Sequence, residues 1–96
     1  MKAYLETEQG DRVAQCDLAD ATFFLETASA ETVCLRFIDP VGDTVFNRGQ
    51  CRVLFVEWQQ MAERCPPELQ SWWECVSELI ARCRDGVHLY VKFMGD

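Results

Sequence analysis

The sequence divides at one stretch, Asp39-Pro40-Val41-Gly42-Asp43-Thr44-Val45-Phe46-Asn47-Arg48-Gly49-Gln50. Pro40 and Gly42 predict a tight turn, because proline presets the backbone of the second turn position and glycine suits the fourth. Asn47 and Gln50 have the spacing of a capping box, in which each side chain accepts a hydrogen bond from the other residue's backbone N–H. The stretch therefore predicts a strand end, a turn and then a helix capped by Asn47.

Upstream of this stretch, residues 2–8 and 12–16 favour two short strands. The signal Gln9-Gly10-Asp11 separates them, so together they predict a β-hairpin. Residues 32–38 predict a third strand, with Val33, Leu35 and Phe37 on one face and Cys34, Arg36 and Ile38 on the other. Apolar residues on both faces are typical of an interior strand.

A short helix is predicted between the hairpin and the third strand. Asp17 offers an N-cap, and apolar residues then recur at helical spacing at Leu18, Ala21, Phe24, Leu25 and Ala28. The alternative is a strand through Thr22-Phe23-Phe24-Leu25, because β-branched and aromatic residues favour strands. Asp17, Asp20 and the alanine-rich flanks favour the helix.

Downstream, the pattern predicts two helices and a closing strand. Apolar positions with a helical period are Cys51, Leu54, Phe55, Trp58, Met61, Ala62 and Cys65, and then Leu69, Trp72, Trp73, Val76, Leu79, Ile80 and Cys83. Pro66-Pro67 separates the two helices. Gly86 suits a left-handed helix end, and the alternation of residues 87–93 predicts the last strand.

These elements predict the fold class. Their order is β-β-α-β-α-α-β, which indicates a two-layer α+β fold with helices on one face of a four-stranded sheet. Ninety-six residues form a single compact domain, 1–96. On the second of the two long helices, Trp72 is expected to be more buried than Trp73.

The charge of the chain indicates which kinds of partner it favours. Sixteen acidic and nine basic residues give a formal net charge of -7. This charge argues against general binding to nucleic acid or an anionic membrane, and favours a basic protein partner. The chain shows no apolar run long enough to span a membrane, so no membrane association is expected.

The six cysteines are predicted to be reduced. They fall on apolar positions of periodic segments, where a free thiol behaves as a small hydrophobic side chain. No CxxC pair and no secretory signal are visible. A cytoplasmic protein without disulfides is therefore expected.

Two sets of residues are candidates for a site. The first is an outward sheet face, on which cationic and aromatic side chains collect: Tyr4, Arg36, His88, Tyr90 and Lys92. Such a face fits a protein partner, a second copy of the chain, or stacked bases of a single-stranded nucleic acid.

The second set lies in the loop and at the helix start: Asp39, Asp43, Asn47 and Arg48. Its carboxylates could contribute to a Mg²⁺ site, and its backbone N–H groups to an anion site. The simpler interpretation is that acidic turn residues bond their own backbone and that Asn47 and Gln50 only cap the helix.

Further interaction surface is predicted on the first long helix. Its solvent side is expected to carry Arg52, Val53, Val56, Glu57, Gln60 and Glu63. Two valines among polar residues suggest contact with a partner, a helix buried on two sides, or a segment that is not a helix.

No catalytic set assembles by spacing. His88 is the only histidine, and no cysteine or serine partner for it can be placed from the sequence. We therefore expect neither an enzyme nor a cofactor nor a metal site.

One resemblance bears on function. Leu54-Phe55-Val56-Glu57-Trp58-Gln59-Gln60-Met61, a helix from Pro67 and a final strand resemble the second half of barstar-type ribonuclease inhibitors, over residues 51–93. The resemblance implies an inhibitor or immunity-type role, and it implies a strand over Leu54–Trp58. The chain departs from that family by opening with a hairpin. The leading hypothesis is a small acidic protein-binding module; the alternative is a small-ligand or single-stranded nucleic-acid binder that uses the sheet face.

Overall fold

The computed structural model describes residues 1–27 and 31–95. Its main elements are β1 (Lys2–Thr7), β2 (Arg12–Cys16), α1 (Thr22–Glu26), β3 (Asp43–Phe46), α2 (Arg48–Gln60), α3 (Gln70–Asp85) and β4 (Leu89–Met94). Short 3₁₀ turns lie at Leu35–Phe37, Ala62–Arg64 and Pro67–Leu69. The predicted order β-β-α-β-α-α-β and the α+β class are confirmed.

The four strands of the described chain form one antiparallel sheet in the order β2-β1-β4-β3. The face toward the helices carries Ala3, Leu5, Val91 and Phe93, all fully buried. α3 packs on β1, β2 and β4, and α2 packs on α3 and β4. The helices therefore cover one face of the sheet, and the alternation of the strands directs Tyr4, Val45 and Lys92 to the other.

The prediction of a strand at residues 32–38 is wrong. That segment contains the 3₁₀ turn Leu35–Phe37, and the third strand is β3, within the stretch predicted to be a turn and a helix start. Segment 32–38 has strand-like alternation. The N–H groups of Val33, Cys34 and Leu35, however, bond to the Glu57 side chain of α2 and not to a neighbouring strand.

The predicted short helix is confirmed as α1, and the alternative strand through Thr22–Leu25 is excluded. It begins later than predicted, however, since the residue before it is Ala21 and no side chain caps it. Asp17 therefore does not act as the cap. Ala28, the last residue of the predicted stripe, lies outside the described residues.

α2 follows the helical period and begins with the predicted capping box. Asn47 Oδ1 accepts from the Gln50 N–H, and Gln50 Oε1 accepts from the Asn47 N–H, both at 2.9 Å. The strand over Leu54–Trp58 that the resemblance implied is not present. Residue Glu57, predicted to face solvent, is buried.

The end of α3 differs from the prediction. Gly86 has an extended backbone, with φ of -93°, and the left-handed residue is His88, with φ of 57°. β4 begins only at Leu89, so Val87 is exposed and does not face the core. The prediction that Trp72 is more buried than Trp73 is also wrong, because both are 7% exposed.

A disulfide joins Cys16 at the end of β2 to Cys75 of α3, across 59 residues of sequence. The expectation that all six cysteines are reduced is therefore wrong for this pair. It holds for Cys34, Cys51, Cys65 and Cys83, which are free. The pairing depends on β2 lying against α3, a long-range contact that no cysteine spacing in the sequence reveals.

Reduction of the Cys16–Cys75 bond is expected to lower the free energy of unfolding by about 2–4 kcal/mol, because the bond closes a long loop in the unfolded chain. Urea unfolding with and without reductant measures this difference. A Cys16→Ser/Cys75→Ser variant should unfold at the lower midpoint in both buffers. Six titratable thiols in urea without reductant would contradict the bond.

Candidate functional site

The outer face of the sheet gathers three of the residues predicted for it. Tyr4 and Lys92 are direct cross-strand partners, and Tyr90 lies opposite Glu6. Tyr4 is nevertheless only 3% exposed, and the Arg12 guanidinium stacks 3.9 Å from the centre of its ring. A cationic side chain of the protein itself therefore occupies the ring face that a base would need for stacking.

The other two members of that set lie elsewhere. His88 precedes β4, and its Nδ1 atom lies 3.3 Å from Glu8 Oε2. Arg36 is in the 3₁₀ turn Leu35–Phe37, and its guanidinium lies 4.9 Å from the centre of the Phe37 ring. The predicted interaction face is thus divided between the sheet and the turn.

The loop and helix-start set is engaged in local bonds. Asp39 Oδ1 accepts from the Val41 N–H at 2.9 Å, as the simpler interpretation of an acidic turn residue predicts. Asp43 Oδ2 lies 3.7 Å from Lys92 Nζ. Across the part of the chain that the structure describes, no three His, Cys, Asp or Glu side chains are arranged to hold a metal ion.

One groove brings the two predicted sets together at the start of α2. Its volume is about 480 Å³, and its lining includes Asn47, Arg48, His88 and Tyr90. Two of the donors at this helix start already have partners within the chain, however. Gln50 N–H bonds to the cap, and Arg48 Nε donates to the Arg84 carbonyl at 3.2 Å. These two donors are therefore not free to bind an anion.

A second groove, which we call the edge groove, runs beside β3 and has a volume of about 410 Å³. Its lining residues are Val33, Cys34, Phe37, Thr44, Val45, Phe46, Gly49, Gln50 and Val53. None of them is charged, and four large apolar side chains remain open to solvent: Phe37 (62%), Val33 (60%), Val45 (52%) and Val53 (40%). A contiguous exposed apolar surface of this kind is typical of an interaction site.

A buried carboxylate fixes one wall of the edge groove. Glu57 of α2 is 8% exposed, and its Oε1 atom accepts from the N–H groups of Cys34 and Leu35, both at 2.9 Å. Its Oε2 atom accepts from the Val33 N–H at 2.5 Å. Three successive N–H groups pointing at one anion form a backbone nest, which anchors the segment that carries Val33 and Phe37.

The same segment is tied to β3 through Thr44. Its Oγ1 atom accepts from the Asp39 N–H at 2.9 Å and donates to the Phe37 carbonyl at 3.4 Å. Both walls of the edge groove are therefore held by polar bonds. The apolar side chains stay exposed because the backbone that carries them is fixed, and not because the segment lacks structure.

The fold shifts the pKa of three free thiols. Burial, followed by the negative charge of Glu57, raises the pKa of Cys34. A hydrogen bond with Cys83, together with burial, raises the pKa of Cys51, and the same bond lowers the pKa of Cys83. Cys51 and Cys83 are fully buried between α2 and α3, where they act as packing groups.

No family model, curated protein or solved structure matches this chain. Among residues 1–27 and 31–95, no helix combines the length and apolar character needed to cross a membrane.

Part of the edge groove could be predicted from the sequence. Val53 and Val56 were expected to be exposed on α2, and both are. The sequence pattern predicts Phe37 on a strand and Glu57 in solvent, and both predictions are wrong. No local pattern in the sequence indicates the position of Glu57. Only the fold shows that Glu57 lies beneath Val33, 24 residues away in sequence.

Proposed function

We propose that this chain is a small protein-binding module that docks its partner in the edge groove. The observation that carries the proposal is the exposure of Val33, Phe37, Val45 and Val53 around a groove whose walls are held by Glu57 and Thr44. Keeping four large apolar side chains in water is unfavourable by the free energy that their burial would release. Contact with a partner recovers that free energy.

The net charge supports a basic partner. A formal charge of -7 on 96 residues attracts cationic proteins over distances beyond contact and raises their rate of association. An inhibitor or immunity-type role is consistent with these features, because a small acidic domain that covers part of a basic protein can block its function. We therefore propose an inhibitor or immunity-type role in the cytoplasm.

A cytoplasmic location would affect the Cys16–Cys75 disulfide. The Cys16–Cys75 disulfide is typical of oxidising compartments. In the cytoplasm this pair would be held reduced, so the less stable form of the protein would be the one that meets its partner.

A charge inserted into the edge groove should abolish docking. We expect Phe37→Asp to reduce capture of the partner at least about tenfold. The variant loses the burial of the aromatic ring and adds the cost of desolvating a carboxylate in an apolar contact. The matched control is Phe23→Asp, which adds the same charge at an even more exposed phenylalanine on α1 (81%). Immobilised wild-type protein and both variants are incubated with lysate of the source cell, and captured proteins are quantified by mass spectrometry.

The salt dependence completes the test. Wild type and Phe23→Asp should retain the same basic protein, and high salt should weaken its capture, since charge attraction between exposed groups is screened. Equal capture by Phe37→Asp would contradict docking in the edge groove. Nucleic acid that co-purifies with all three proteins would favour the alternative function of the sheet face.

A further inference from the structure

β3 is an edge strand with one side open. Among the described residues, the backbone bonds of Asp43–Phe46 go to β4. In an edge strand, every second residue directs its N–H and C=O away from the sheet. The open side of β3 faces the edge groove, because Thr44, Val45 and Phe46 form one of the groove's walls.

The two edge strands of the sheet differ in how well they are protected against pairing with another strand. On the β2 side, Arg12 places a charge on the strand, the register shifts between Leu5 and Glu6, and the disulfide ties Cys16 to α3. Charges and bulges are the usual devices that keep edge strands from pairing. β3 contains neither a proline nor a basic residue, its register is regular, and its one charge, Asp43, lies near Lys92 of β4. The β3 edge thus remains available for pairing.

We infer that the edge groove binds an extended segment of a basic protein, which adds to the sheet as a fifth strand beside β3. In such a strand, alternate side chains point to opposite faces. One set would enter the groove toward Phe37 and Val53, and the other would lie on the outer face beside Val45. This inference rests on the proposed function and names the form in which the partner is recognised.

Charge determines the chemistry of the occupant. The groove lining is uncharged, so the inserted side chains should be apolar. Asp39 is exposed in the turn before β3, where a basic residue flanking the segment would meet it. A second copy of this chain would bring another -7 charge to the same edge, and repulsion between like charges disfavours that occupant.

The probe for this inference is a displayed library of random peptides of about ten residues, the upper length of an ordinary strand. Peptides are selected on the full chain and depleted on Phe37→Asp. The enriched sequences should carry apolar residues at every second position and basic residues at their ends. Phe23→Asp should bind them as the wild type does.

Backbone N-methylation then tests the pairing itself. Two versions of an enriched peptide are made, each methylated at alternate residues, with the two sets offset by one position. The set whose N–H groups face β3 should weaken binding about tenfold or more, because it removes backbone hydrogen bonds at the edge, and the offset set should leave Kd unchanged. Fluorescence anisotropy measures both.

The outcomes separate the two proposals. If Phe37-dependent peptides bind equally well, or are weakened equally, with either methylated set, docking stands and strand addition is wrong. If no peptide prefers the wild type over Phe37→Asp, both are wrong. A free protein that sediments as a dimer, and as a monomer after Phe37→Asp, would show that a second copy occupies the edge and would overturn the inference.

Discussion

Trp58→Ala is expected to lower the free energy of unfolding by about 3–5 kcal/mol, the usual cost of emptying a large aromatic site in a core. Trp58 is fully buried and lies where α1, α2, α3 and β4 meet. Its ring centre lies 5.8–6.5 Å from those of four other aromatic rings, which belong to Phe24, Trp72, Trp73 and Phe93. Its Nε1 also donates to the Trp73 carbonyl at 3.2 Å.

Phenylalanine variants provide the matched comparison. Trp58→Phe removes a buried indole N–H that has a partner, whereas the Nε1 atoms of Trp72 and Trp73 are buried without a partner in the described part of the chain. Replacing a polar group that lacks a partner costs little. Urea unfolding followed by circular dichroism should therefore rank Trp58→Phe as the most destabilised of the three. Equal losses would mean that the core is not centred on Trp58.

A loss of this size threatens the fold. Small domains have a free energy of unfolding of about 5–15 kcal/mol, and this chain also depends on the Cys16–Cys75 bond. Trp58→Ala under reducing conditions should therefore leave a substantial unfolded population.

The helices could be predicted because their signals are local. Cys51, Leu54 and Trp58 repeat with the helical period, and the capping box at Asn47 and Gln50 is contained within four residues. The hairpin was similarly visible from alternation around Gly10. These patterns are set by near neighbours in sequence and do not depend on the tertiary fold.

The third strand could not be located because tertiary contacts decide it. Segment 32–38 and β3 both contain β-branched and aromatic residues, and strand propensity depends strongly on context. In the structure, Thr44 pairs with Phe93, whereas the N–H groups of Val33, Cys34 and Leu35 bond to Glu57. An acidic residue on a helix gives no sign in the sequence that it faces inward.

The same contact explains why the candidate site was only partly visible. Once segment 32–38 is not a strand, Arg36 no longer lies on the outer sheet face, and Phe37 becomes a wall of the edge groove. Val53 keeps its predicted exposure because the period of α2 determines it. The exposure of Val53 in the groove therefore follows from the sequence, whereas the wall that carries Val33 and Phe37 depends on Glu57.

Glu57→Ala is expected to lower the free energy of unfolding by about 3–5 kcal/mol, because three backbone N–H groups that cost about 1–3 kcal/mol each when buried without a partner lose their common acceptor. The side chain is 8% exposed, so water replaces it poorly. Glu57→Gln should cost less, since one oxygen remains to accept from these groups. Urea unfolding measures both variants.

The effect of Glu57→Gln should also be local, which separates a role in the groove from general destabilisation. Amide hydrogen exchange should accelerate first at Val33, Cys34 and Leu35, whose N–H groups bond to Glu57, while Leu5 and Val91 in the central strands keep their protection. Peptides selected on the wild type should bind the folded variant more weakly, although Phe37 and Val53 are unchanged. Glu63→Gln, an exposed acidic residue in the turn after α2, provides the control for lost charge. Unchanged exchange at residues 33–35 would show that Glu57 does not hold the wall, and the groove would then have to be held by Thr44 alone.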